Sequence, residues 1–148
     1  EAQMKADDQI YLHALLHNVG ELYLTSIFSE AYEKSDGRIP IGRVRTKIHE
    51  WHMRVGAELI SHWGLEPSYS EIAAKHHDMR AYTPAGPHRF RLLHIINLAT
   101  RLVESVGASP YPQPVRGPRL KDSMNKLRIS EAVLQSFKDR AAAFADNA

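Results

Sequence analysis

The sequence predicts an all-α fold, a compact helical bundle of about five or six helices. Apolar residues recur at helical spacing through four long segments, and no stretch of useful length alternates apolar and polar residues as a half-buried strand would. Turn-forming residues separate the segments: Asp36-Gly37 with Pro40, Gly64, Pro67, and four prolines within residues 108–118.

The first helix is expected to open near Asp7 or Asp8, either of which can accept from free backbone N–H groups. Its face comprises Leu12, Leu15, Leu16, Val19, Leu22 and Tyr23, continued by Ile27 and Phe28. The polar pair His17-Asn18 and the helix-weakening Gly20 interrupt this run, so a bend is expected at Gly20. Glycine also lets a neighbouring helix approach closely, leaving His17 and Asn18 facing a pocket between helices.

A second helix carries one stripe of Val44, Ile48, Trp51, Val55 and Leu59 and an adjacent one of His52, Gly56, Leu59 and Trp63, with Gly64 as its terminator. Pro67 or Ser68 opens a shorter helix that ends at His76-His77. Residues 88–107 form a long amphipathic helix with Leu92, Ile95, Ile96, Ala99, Leu102, Val103 and Val106 inward. The Pro-rich loop at 108–118 leads to a terminal helix capped by Ser130. The 148 residues suffice for one domain with its own core.

Composition narrows the function. The absence of cysteine excludes disulfides and thiolate-ligated metals. No apolar run approaches the roughly 20 residues that span a bilayer, and no secretory signal is visible, so a soluble cytoplasmic protein with no membrane partner is expected. A net charge of +2 does not imply a polyanionic partner. The basic groups Arg38, Arg43, Arg45, Lys47 and Arg116, Arg119, Lys121 read as solvated faces, which makes nucleic acid an unfavoured partner.

Histidine is the unusual count, with nine in all. Imidazoles from separate helices that meet at one point can ligate a divalent metal, although a single histidine is more often a hydrogen-bonded structural residue.

The order of the segments resembles a known family. "YLHALLHNVGELYL" is similar to the signature helix of HD-superfamily phosphohydrolases, in which a His-Asp pair precedes an aliphatic residue and glycine. "HMRVGAELISHWGL" and "IAAKHHD" resemble the next two blocks of the HDOD branch, and "LLHIINLATRLVESVG" the helix that carries the last metal-binding Asp. With "LRISEAVLQSF" as the closing helix, the resemblance spans residues 9 to 140.

It implies a metal pocket at His17, His52, His76 and His77, with two departures. Asn18 stands where the enzymes carry Asp, and Thr100 where they carry the last Asp. An amide brings no charge to offset dehydration of a hard cation, and without both carboxylates family-type hydrolysis lacks ligands and a general base.

The resemblance therefore implies a bacterial signal-transduction module with no catalytic residues and a vestigial or weak metal site. No cofactor is expected beyond zinc or nickel held weakly. Its partner would be a protein, an adjacent signalling domain or a second copy in a homodimer. The alternative is a metal-dependent phosphohydrolase in which Glu50, Glu58 or Asp78 replaces the lost carboxylates. An opening at Glu1 and the lack of the family's upstream histidine and helices suggest a fragment.

Overall fold

The computed structural model describes residues 6–36, 38–77, 87–106 and 120–145. Among these it is all-α, with seven helices: α1 (Ala6–Leu16), α2 (Val19–Lys34), α3 (Ile41–His62), α4 (Pro67–Lys75), α5 (Pro87–Ser105), α6 (Leu120–Leu127) and α7 (Glu131–Ala145). By contacts the chain forms two compact units, residues 1–76 and 77–148. The Pro-rich stretch 108–118 and Asp78 lie outside the described residues.

In the first unit α2 packs on α3, α3 on α4, and α1 on α4. The bend expected at Gly20 is a break between two helices, and it falls at His17-Asn18. Asn18 has φ −111° and ψ 15°, outside the helical well. Its carbonyl accepts from the N–H of Glu21 at 3.0 Å, which restarts the helix as α2. Gly20 has the second of its two expected roles. A Cβ placed there would lie 2.0 Å from the His52 carbonyl oxygen and 2.4 Å from the Gly56 nitrogen, so α2 and α3 cross backbone to backbone.

The buried row of α3 is Val44, Ile48, His52, Gly56 and Ile60, a strict i, i+4 line. Trp51 and Trp63, placed inward by the sequence pattern, are exposed. A glycine-to-glycine crossing brings the two backbones so close that large aromatic rings are excluded from the contact line. Leu15 and Leu22 are likewise exposed, because the break at residues 17–18 divides what reads as one apolar face. Gly64, at φ +70°, ends α3 as expected, and the Leu65 N–H reaches back to the Ile60 carbonyl.

In the second unit α5 packs on α6 and α7. Leu98, Leu102, Met124 and Leu134 form its core, with Leu127 and Ile129 against them. Ser130 caps α7 by accepting from the Val133 N–H at 3.3 Å. Ala99 and Val103, expected inward, are exposed. Their places are taken by Leu93, His94, Asn97 and Leu98, a face rotated toward α6, a helix that sequence periodicity alone did not suggest.

A candidate imidazole site in the first unit

Three histidines of the first unit share one local geometry. The Nδ1–H of His17 donates to the Ala14 carbonyl at 2.6 Å, that of His52 to His49 at 2.7 Å, and that of His76 to Ala73 at 2.9 Å. Each bond runs three residues back along a helix or its last turn. A carbonyl only accepts, so each Nδ1 holds the proton and each neutral ring presents Nε2 as a lone pair.

The lone pairs of His52 and His76 converge, and His17 is not among the residues whose ligand atoms meet there. His52 and His76 are 2% and 0% exposed, and their Nε2 atoms stand 3.4 Å apart. The His17 ring meets the His76 ring edge-on at 4.9 Å between centroids. Ligand atoms of His52, His76 and His77, the next residue in the chain, all lie within 4.8 Å of one another. Two facing lone pairs repel unless a proton or a cation is shared between them. Burial nevertheless opposes charge: it pushes the His52 imidazole down to about 4, and the nearby His49 and His17 push the same way. Burial lowers His17 as well, against the pull of its bond to the Ala14 carbonyl.

Asn18 is engaged locally. Its amide nitrogen donates to Glu21 Oε2, while its Oδ1 is buried without a hydrogen-bond partner among the described residues. Burial raises the Glu21 carboxyl, and the bond from Asn18 partly offsets this. Glu21 is the carboxylate that sequence reasoning missed. The signal was Asn18-x-x-Glu21, the spacing of a helix-opening box. Glu50 and Glu58 do not serve as replacement ligands: both are exposed, paired with Lys47 at 2.6 Å and Arg54 at 2.9 Å. Thr100 belongs to the second unit, where its hydroxyl donates to the Ile96 carbonyl at 3.0 Å.

His13 was also missed. It is buried, its ring is stacked 4.1 Å from Tyr69, and its Nε2 accepts from the Ser68 hydroxyl at 3.2 Å, which ties α1 to the start of α4. It is a hydrogen-bonded core histidine.

The first unit is a four-helix module with buried imidazoles beside a glycine crossing. The HDOD domain profile matches residues 1–79, more than half of the chain, and the chain belongs to that family. The match covers the first unit with its His17, His52 and His76, includes His77, and stops before Thr100. No curated protein and no solved structure matches the chain. Among the described residues no helix is long and apolar enough to cross a membrane.

Proposed function

We propose that the chain is a non-catalytic signal-transduction module that acts by binding a protein or a neighbouring signalling domain. The observation that carries this reading is the donor set of the pocket. Among the described residues it consists of imidazoles, and the amide of Asn18, where by resemblance an HD enzyme would place a charged ligand, is tied to Glu21. Neutral nitrogens alone do not offset the dehydration of manganese or magnesium, and iron(II) on two imidazoles is held with the help of a carboxylate.

The same set suits zinc or nickel, held weakly. Two nitrogens on one tetrahedral ion at about 2.0–2.1 Å stand roughly 3.3–3.4 Å apart, and the Nε2 atoms of His52 and His76 are 3.4 Å apart. These two residues would hold the ion, which would supply a crosslink between α3 and the end of α4. Exposed Tyr11, Leu15, Leu22, Tyr23 and Ile27 on α1 and α2 supply apolar area for a protein partner or a second copy.

Hydrolysis of bis-p-nitrophenyl phosphate with added manganese, iron(II) or zinc tests the non-catalytic reading. The expected rate is that of the metal in buffer alone. Metal-dependent turnover that disappears in His52→Ala would establish the phosphohydrolase alternative.

Asn18→Asp probes the substituted position. It replaces a donor to Glu21 by a second carboxylate, so it should cost about 1–2 kcal/mol at pH 7. The deficit relative to the parent should shrink toward pH 5, as the pair shares a proton. Urea unfolding of both proteins at the two pH values measures this, and an unchanged midpoint at pH 7 would mean that Asn18 and Glu21 do not interact.

A further inference from the structure

The second unit contains a cavity of about 310 Å³, lined by Phe90, Arg91 and His94 of α5 and by Lys126, Leu127 and Arg128 at the end of α6. It lies beyond the residues matched by the HDOD profile. Three of its six lining residues are cations, and none of the three forms an ion pair with a carboxylate among the described residues. The Lys126 ammonium stands 5.7 Å from the centre of the Phe90 ring.

His94 is only 4% exposed and is held in one tautomer. The Ser123 hydroxyl donates to Asn97 Oδ1 at 3.4 Å and so accepts from the His94 Nδ1–H at 3.0 Å. The Arg101 Nε–H donates to the same Asn97 oxygen at 3.1 Å and fixes that end of the chain of bonds. The His94 Nε2 is left as a lone pair, buried and without a hydrogen-bond partner among the described residues. The ring stays neutral: burial and then Lys126 push its ionisation down, against Asp122 one turn earlier on α6.

Arg128 turns the chain out of α6 at φ +56°, in the left-handed region, where the same chain uses Gly64 to end α3. Asp36, which does not line the cavity, adopts the same conformation at φ +51° after α2; at Arg128 the turn places a guanidinium on the cavity wall.

We propose that this cavity binds a phosphorylated small molecule. Its phosphate monoester is taken by Arg91, Lys126 and Arg128, and an N–H or O–H of the ligand donates to His94 Nε2. Two guanidiniums and an ammonium match a phosphate dianion, whereas a carboxylate is satisfied by one guanidinium fork. The volume is at the lower end of small-molecule sites and exceeds what bare phosphate fills, so the ligand is about the size of a mononucleotide. The cavity and its ligand are independent of the imidazole site.

Calorimetry on the 148-residue chain at fixed ionic strength, titrated with guanosine 5′-monophosphate, inorganic phosphate and guanosine, tests the proposal. The monophosphate should bind saturably, about tenfold or more tighter than phosphate, and guanosine should give no heat. Arg128→Gly should raise the melting temperature by a few degrees while weakening the monophosphate about tenfold, a combination that loss of fold cannot produce. His94→Ala should weaken it at least severalfold, and Lys121→Ala, an exposed cation that does not line the cavity, should not. No saturable binding at about 10 mM monophosphate, or an equal loss in Lys121→Ala, would overturn the proposal. Equal affinity for phosphate and monophosphate would overturn its small-molecule part.

Discussion

Gly20→Ala is expected to unfold the first unit. The added Cβ would sit 2.0 Å from the His52 carbonyl oxygen, 2.4 Å from the Gly56 nitrogen and 2.8 Å from the Gly56 Cα. All three are backbone atoms inside a 22-residue helix, so no side chain can rotate away. Relief requires α2 and α3 to separate along their whole contact. The expected loss is more than about 4 kcal/mol, at the far end of what single substitutions produce. Gly42→Ala provides the contrast on α3, because nothing lies within 4 Å of its added Cβ. It should be neutral or stabilising by up to about 1 kcal/mol. Thermal and urea unfolding followed by circular dichroism measure both. A Gly20→Ala protein that melts within a degree or two of the parent would mean that the two helices do not cross at Gly20 and Gly56.

Acid should destabilise the protein through His52. The ordinary imidazole value is 6.5, and burial lowers the folded value to about 4. Between these limits the unfolded chain binds a proton that the folded chain does not. Stability is therefore complete above about pH 6.5 and falls as the pH drops toward 4, by up to about 3 kcal/mol from this one ring. Burial lowers His17 and His49 in the same direction, so they steepen the fall. Urea midpoints across pH 7.5 to 4.5 should show it. His52→Gln should flatten the slope whatever its effect on stability at pH 7.5. Parallel slopes for the two proteins would mean that His52 is charged in the folded state.

The sequence was informative where one residue type admits few physical roles. Gly64 after an apolar stripe gave the end of α3, Ser130 gave the cap of α7, and His17, His52 and His76 were recognisable by their place at helix breaks and beside small residues. It was less informative where faces depend on a partner. Trp51 and Leu22 satisfy helical periodicity but lie outside, because the Gly20–Gly56 crossing sets which side of each helix is inward. Periodicity records apolar content, and the closest approach of two backbones is fixed by which glycines meet. The approach of Glu21 to Asn18 is a three-residue spacing that reads equally well as an ordinary helix start. The cationic cavity at Arg128 was invisible because residues 91, 94 and 126–128 come together only through the packing of α6 on α5.

On the function proposed above, the imidazole pocket, whose donors among the described residues are histidines, does not retain iron or manganese. Elemental analysis of protein expressed with supplemented iron and manganese tests it most directly. The account predicts well under about one equivalent of either, with any bound metal being zinc or nickel in substoichiometric amount. Near-stoichiometric iron or manganese, lost in His52→Ala, would contradict it.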